Sequence, residues 1–541
     1  MVGRGPQVTG RQGLRVYFGI SSDGYEVHAN GFGMRGTQVT LTAGGNATVA
    51  MTRTQLAERL YRLTGFGVYF DSALLGLPAP SAHPLLNAGV LGQDSILLVQ
   101  FAKQLHWFWG DTKRMAFPLG NFETTGATSC DPAFPSDDSG GACAGAQKRV
   151  DLTYFSQPEP STGDVFVRGM APFEPHNLPT WIGSVAVVPD SGPTAVDGVA
   201  MTCLWTKPDH SMSTTRQGAA LWDPRAANFS EAGADWPLDG GAAKVTAGCC
   251  GQAVTNSAQT KARGGAPTTV VSMDGADYVV FGGQTRGVWP LSVTRVAANL
   301  AGLADHTQYE NWTPVLPLLN SSAPPADWKV ERDEQGTVVW AWRRGAPPLT
   351  QAAEQALVAS GELKPAEQRT VVHDQDGAPL VLSGGSVHWN AHRGKYIAIV
   401  GARPGHAPPW RDARADANIE GAGPWAQASR EFPVGAHAAA GTKPHATKPS
   451  FDGEIYYAEG ESLTAGWGNA TLVSAGTSNG TRRKHQHQHV LLHVTYFNPS
   501  TRTWHPAPAP AIYRVNPSTS SAAGSHSPPL PAGDHARGDG L

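Results

Sequence analysis

From about residue 66 onward one unit recurs: five or six apolar residues, a tight polar turn, then a second, aromatic-rich run. "DSILLVQFAKQLHWFWGDT", "TTVVSMDGADYVVFGG", "GGSVHWNAHRGKYIAIVG" and "VLLHVTYFNPSTRTWHPA" are copies of it. "VDGVAMTCLW" with "RQGAALWDPRAANFSEA" makes another, with a longer connection. Each unit reads as a β-hairpin. Hairpins repeated over so much of a chain, with loops of uneven length, mark a radial array of β-sheets. The uneven period and the lack of a recurring GH…WD pair exclude a WD40 repeat. The expected fold is therefore all-β, a β-propeller of about five blades, with a pair of β-sandwiches as the competing arrangement.

Composition agrees. Gly 63 and Pro 42 make about a fifth of the 541 residues, against roughly 12% on average, and charged residues are 16% against roughly a quarter. Short strands joined by irregular loops account for both. The net charge of −3 carries no basic stripe, which sets nucleic acid aside as a partner. No apolar run is long enough to span a membrane.

Residues 1–54 read differently. "LRVYFGISSDGYEV" and "TQVTLTAGGNATVAMTR" alternate with period two, the second as a hairpin around Gly44-Gly45-Asn46. These strands are too few for a core of their own and are expected to be the end of a partial β-sandwich. "TQLAERLYRLTG" follows as a short amphipathic helix. The propeller is expected over 55–514. It is interrupted by "PPLTQAAEQALVASGELKPAEQ" as two short helices around Ser360-Gly361, and by the low-complexity loop 433–450. Residues 515–541 lack apolar periodicity and are expected to be disordered.

The first residues lack the apolar stretch of a secretory signal, yet N-x-S/T sequons stand at Asn46, Asn228, Asn311, Asn320, Asn469 and Asn479. Five Cys allow two disulfides and one spare thiol, with Cys130 and Cys143 flanking a short loop as a local bridge. No C-x-x-C is present for a zinc ribbon. These features together predict a secreted or secretory-pathway protein whose signal precedes this chain. A monomer is expected.

Polar residues at the ends of innermost propeller strands converge on a central funnel. Asp94 in "GQDSILLV" stands just before an apolar run, where desolvation would raise its pKa, or else it caps a turn. Asp111 ends the same hairpin, and Arg114 follows to neutralise an acid or a ligand oxygen, or else the two belong to a structural salt bridge. Trp107 and Trp109 share one strand face, either packing between blades or stacking on a sugar. Glu454 in "GEIYYAEGES" precedes a strand as Asp94 does and is its expected partner carboxylate. Paired carboxylates across a cleft are what glycoside hydrolysis requires. "GGSVHWNAHRGKY" adds His388, Trp389 and Arg393 as ligand-binding candidates, with Asn390 suited to a left-handed turn. His485, His487 and His489 share a face if extended but lack a nearby carboxylate, so no metal is expected there. No nucleophile elbow, P-loop, H-E-x-x-H or dinucleotide fingerprint stands in a suitable context.

"RLYRLTGFGVYFDSALLG", "GQDSILLV", "WFWGDTKRMAFPLGNF", "GGSVHWNAHRGKY" and "GEIYYAEGES" together resemble a poorly characterised family of secreted-type proteins. That family is similar to the five-bladed propellers of the arabinanase, β-xylosidase and invertase superfamily. The resemblance covers roughly residues 55–500. The first fifty residues resemble the end of a transthyretin-like or carboxypeptidase-regulatory-like β-sandwich. The resemblance implies a funnel with three acids: a base or nucleophile early in the first blade, a pKa-tuning Asp and a Glu general acid. Asp94 matches the first by place and context. Asp111 departs from the second because it ends a hairpin of the same blade, and Glu454 departs from the third because it falls near the last blade. The resulting expectation is a carbohydrate-active propeller of furanosidase type, with Asp94 as base or nucleophile, Glu454 as proton donor, and Asp111 and Arg114 tuning. A non-catalytic propeller binding glycan or protein is the alternative. No cofactor is expected, with a structural Ca²⁺ in the funnel left open.

Overall fold

The hairpins assemble into antiparallel sheets in chain order. The computed structural model describes residues 13–53, 64–130, 151–238, 270–282 and 294–404 with short breaks. It also describes strand backbone at 252–253, 454–460, 471–474, 493–498, 503–506 and 512–513. The described residues form strands far more than helices, consistent with an all-β fold.

The first large sheet runs Ile96–Phe101, Gln104–Trp109, Thr125–Cys130, Thr153–Tyr154, each strand beside its predecessor. The second is Trp181–Pro189, Val199–Pro208, Thr214–Asp223, Asn228–Ala232. In the third, Val270–Met273, Ala276–Gly282, Thr294–Ala297, Glu310–Thr313 and Ala341–Arg344 follow in order, with Gln252–Ala253 also on Ala276–Gly282. The fourth is Val372–His373, Pro379–Asn390, Lys395–Pro404, Glu454–Gly460, Thr471–Ser474. His493–Asn498 pairs antiparallel with Thr503–Pro506 and parallel with Ile512–Tyr513.

Period-two alternation decides how the sheets stack. Leu97, Val99, Phe101 and Phe108 of the first sheet join Val187, Met201, Cys203, Trp205 and Trp222 of the second in one core. On the opposite face of the second sheet Ala186, Val188, Leu204 and Ala219 join Val270, Val279, Phe281 and Val296 of the third. The second sheet is thus apolar on both faces, which is why "VAMTCLW" reads as an unbroken apolar run. Leu105, Trp107 and Trp109 point the other way, away from the second sheet, and pack with Leu98, Leu152, Tyr154 and Phe166.

Turn chemistry is mixed. Met273 and Ala276 flank Asp274 (φ 53°) and Gly275 (φ 79°), a two-residue type I′ loop with favoured residues. Phe101 and Gln104 flank the same geometry built from Ala102 (φ 51°) and Lys103 (φ 59°), neither suited to the left-handed region. In the fourth sheet Gly394 is left-handed (φ 61°), whereas Asn390 ends its strand and pairs with Lys395.

The N-terminal strands pair otherwise than expected. Leu14–Gly19 lies against Gly36–Leu41, and Thr52–Arg53 against Tyr25–Glu26, so the segments on either side of Gly44-Gly45-Asn46 do not pair with each other. Alternation identifies a strand but not its partner. The helix expected over 54–65, apart from Thr64, and the tail 515–541 lie outside the described residues.

The helical insertion is one helix, Gln351–Ala359, then a single 3-10 turn, Pro365–Glu367, with Gly361 (φ 83°) between. Thr350 caps the helix by accepting from Ala353 N at 3.0 Å. Ala353 and Leu357 bury against Val315, Trp328, Leu349 and Leu363. Glu354 is fully buried, accepting from the backbone N–H of Arg369 (2.6 Å) and Thr370 (3.0 Å).

Candidate functional site

In the first sheet Ile96, Trp109 and Thr125 lie at one end, because neighbouring strands run antiparallel. In the second sheet Trp181, Thr206 and Gln217 share an end for the same reason. The two ends are stitched together. Thr124 N and Oγ1 both donate to the carbonyl of Thr180 (3.0 and 3.2 Å), Ile182 N donates to Thr124 Oγ1 (2.9 Å), and Trp181 Nε1 donates to the carbonyl of Phe122 (2.9 Å).

Polar chemistry collects at this junction. Thr112 and Thr125 share a hydrogen bond of 2.8 Å, and both accept from Gln93 Nε2 at 3.3 Å. Tyr154 donates its hydroxyl to Gln93 Oε1 at 2.8 Å. The Gln93 amide is thereby held by three hydrogen bonds, immediately before Asp94, which itself lies outside the described residues. Asp111, half-buried, precedes the fully buried Thr112.

Two residues that the sequence did not single out complete the junction. Lys207 is fully buried, its ammonium donating to the carbonyl of Leu178 and to Thr180 Oγ1, each at 2.9 Å. Burial pushes its pKa down, and the negative charge of Glu123 opposes that. Burial pushes Glu123 up, opposed by the charges of Lys207 and His176. Glu123 is anchored through its backbone N–H to Asn121 Oδ1 at 3.0 Å, and its Oε2 lies over Gly169, where a Cβ would stand only 1.8 Å away. Around them Arg216 holds Asp235 (2.7 Å) and Glu231 (3.1 Å) and lies over the Trp205 ring at 5.2 Å, while His176 pairs with Glu174 at 3.0 Å. The arrangement offers a carboxyl that keeps its proton to higher pH beside an amine that gives its proton up more readily. Each charge lowers the cost of the other's inside the seam.

The expected site residues fare differently. Arg114 is taken up by an ion pair with Glu159 and lies over the Phe166 ring at 5.0 Å. Trp107 and Trp109 are 1% and 3% exposed, stacked at 6.2 Å, with Trp107 Nε1 donating to Ser129 Oγ at 2.8 Å. Neither presents a face to a sugar, so their ligand-binding role is withdrawn. Glu454 opens the Glu454–Gly460 strand opposite Ala402. That strand is the third long one of its sheet, the place Thr125 holds in the first sheet, not an opening strand like Ile96–Phe101. His388 and Trp389 lie in Pro379–Asn390, opposite Ile397 and Tyr396. Arg393 and His485, His487 and His489 lie outside the described residues.

Cys130 is disulfide-bonded, and Cys143 lies outside the described residues. Cys203 is a free, buried thiol whose pKa burial raises. Asn311 is fully buried, its amide donating to the carbonyl of Ala346 at 2.8 Å while accepting from Thr294 Oγ1. A glycan has no room on an amide wholly enclosed in the third sheet, so Asn311 is removed from the glycosylation candidates. Asn228 opens a strand and is half-buried, and Asn46, Asn320, Asn469 and Asn479 lie outside the described residues. Among the described residues no three His, Cys, Asp or Glu side chains are grouped to hold a metal ion, and no helix is long and apolar enough to cross a membrane.

The signal for Lys207 was present in the sequence. It interrupts the apolar strand "VAMTCLWTK", where a lysine needs a buried acceptor. Glu123 in "NFETTG" stands just before a strand, as Asp94 does.

No protein-family model matches the chain, and no curated protein matches it. Among solved structures it is similar to a candidate hydrolase from Bacteroides ovatus, at 10% identity and a TM-score of 0.30, over 72% of this chain and 71% of that one. It is similar also to a candidate glycosidase from Bacteroides thetaiotaomicron, at 9% identity and 0.24, over 58% of this chain and 63% of that one. A third is a GH43 β-1,3-galactosidase solved with galactodeoxynojirimycin, at 8% identity and 0.24, over 57% of this chain and 86% of that one.

Proposed function

We propose that this chain is a five-bladed β-propeller that acts on a glycan as a glycoside hydrolase, with its site at the joined ends of the first two sheets, around Glu123 and Lys207. The observation that carries this reading is the Thr124–Thr180 stitch. It joins equivalent ends of two consecutive sheets, where Glu123 and the buried Lys207 feel each other's charge. Sheets that follow one another in chain order and bury their faces against the next are the ordinary construction of a propeller. In this reading Asp94 is the base or nucleophile, Glu454 the proton donor and Asp111 the tuning acid. A disulfide at Cys130 supports an oxidising compartment, hence a secreted or lumenal protein.

One observation favours a second reading, a non-catalytic propeller that binds glycan or protein. Arg114, expected to orient an acid in the funnel, is committed to Glu159.

Incubating the full chain with a broad panel of glycans decides between them. Cleavage by the native protein that Asp94→Asn and Glu454→Gln each reduce by about a hundredfold or more, with binding retained, supports the hydrolase. Binding with no cleavage leaves the second reading. Neither binding nor cleavage overturns both.

A further inference from the structure

Beside the junction lies a second, smaller polar feature. A pocket of about 180 Å³ is lined by Arg114, Asn121, Phe122, Gln157, Glu159 and Phe166. It sits between the short sheet that carries Thr112–Lys113 and Gly120–Asn121 and the hairpin Ser156–Pro158/Val165–Val167. At roughly 30 Å³ per water it has room for about six waters, less than the roughly 300–1,000 Å³ of a drug-sized ligand site. One sugar ring is the right scale.

Its walls are fixed. Asn121 Nδ2 donates to the carbonyl of Val167 at 3.1 Å while Oδ1 accepts from Glu123 N. The backbone of Glu159 is held by Asp164 (2.8 Å) and Gly163 (2.7 Å) in a tight turn. Arg114, only 9% exposed, is clamped between Glu159 and the Phe166 ring. Gln157 differs from all of these. It is exposed, and among the described residues its amide has no protein partner.

The chemistry selects a neutral polyol. Arg114 and Glu159 cancel each other's charge, so an anion or cation entering the pocket would lose its hydration without a counter-charge. A hydroxylated ring is matched: its hydroxyls can accept from guanidinium N–H and donate to the carboxylate side by side, with Gln157 supplying one further donor and one acceptor. Phe122 offers an apolar ring to its C–H face. We propose that this pocket binds a single neutral sugar unit, a subsite beside the candidate site. The proposal rests on the glycan reading above and adds to it a place and a size.

The test is saturation-transfer NMR on the full chain with D-galactose, L-arabinose, D-xylose and D-glucose, and with sodium phosphate and sodium acetate as anionic probes. At least one monosaccharide is expected to bind. Gln157→Ala should weaken that binding at least tenfold with the melting temperature unchanged, and Glu159→Gln should weaken it as well. Monosaccharide binding unaffected by Gln157→Ala places the sugar elsewhere and overturns the proposal. So does binding of phosphate or acetate in place of the sugars. If no monosaccharide binds while a polymeric glycan is still bound or cleaved, the pocket fails and the glycan reading stands. If no glycan of any length is bound, both fall.

Discussion

Lys207 lies wholly inside the protein and donates to Thr180 Oγ1 at 2.9 Å, so a formal cation is held at the seam between the first two sheets by neutral oxygens. The acid whose charge opposes it most, Glu123, is itself biased toward its uncharged form by burial. The two are coupled, and each lowers the cost of the other's charge.

Lys207→Met should therefore do two things. It leaves the Leu178 carbonyl and Thr180 Oγ1 without their donor, at a cost of about 1–3 kcal/mol. It also removes the charge that restrains Glu123, whose pKa should climb further. Melting curves for Lys207→Met, Glu123→Gln and the double variant test this. The double variant should lose less than the sum of the singles, and strict additivity would mean the pair is not coupled.

Gly169→Ala reaches Glu123 without touching its chemistry. The new methyl would stand 1.8 Å from Oε2, so the carboxylate must swing out. The obstructing atom ends a flexible side chain, and the stability change should stay within about 1 kcal/mol. Freed from burial, Glu123 should titrate closer to an ordinary carboxylate, read by carboxyl-selective NMR difference spectra against Glu123→Gln.

His106 supplies a pH signature of the core. It is packed edge-on against Phe101 (5.6 Å) and Trp222 (5.8 Å), and burial pushes its pKa from 6.5 down to about 4, with a backbone bond at Gln104 opposing. The unfolded chain takes up this proton first, so stability falls as pH drops from about 6.5 toward about 4, by on the order of 3 kcal/mol. His106→Phe should remove that loss. Glu123 and Glu354, both raised by burial, act oppositely, their contribution declining as pH rises above 4.5. Because they are common to both proteins, the difference between the two melting-temperature profiles isolates His106. A difference that is flat between pH 4 and 6.5 would contradict the assignment.

Lys103 is exposed and holds φ 59° in the turn joining the first sheet's opening strands. Replacing it with glycine relieves left-handed strain of about 1 kcal/mol or more, partly offset by the entropy glycine brings to the unfolded chain. Lys103→Gly should raise the melting temperature slightly, whereas Lys103→Val should lower it.

Peptide mapping after expression in a secreting, glycosylating host should find Asn311 unmodified. Asn311→Ala should cost about 1–3 kcal/mol by stranding Thr294 and Ala346.

How far the chain could be read in advance follows from what kind of signal each feature leaves. Hairpins such as Ile96–Phe101/Gln104–Trp109 and Val270–Met273/Ala276–Gly282 are local, and alternation plus a two-residue gap is enough to find them. Pairing at a distance is not local: Gly36–Leu41 has the alternation of a hairpin strand, yet its partner lies upstream at Leu14–Gly19. Direction was equally hidden for Trp107 and Trp109. Their common face was legible, but whether it met the second sheet, a ligand or the chain's own Tyr154 and Phe166 depended on packing. The same applies to Asn311, where a sequon names an amide and says nothing of its burial. Glu123 and Lys207 escaped because neither belongs to a motif, and their interest arises only when Thr124 meets Thr180 across two sheets.

The second sheet's two apolar faces also govern what happens before the chain is finished. Synthesis halted after Ala232 would leave Ala186, Val188, Leu204 and Ala219 with no third sheet to cover them. Such a fragment presents a greasy plane flanked by unpaired strand edges, the ingredients of self-association. This layer therefore cannot serve as a boundary at which the protein is divided: nascent chains must either be shielded until the segment around Val279 and Phe281 emerges, or precipitate.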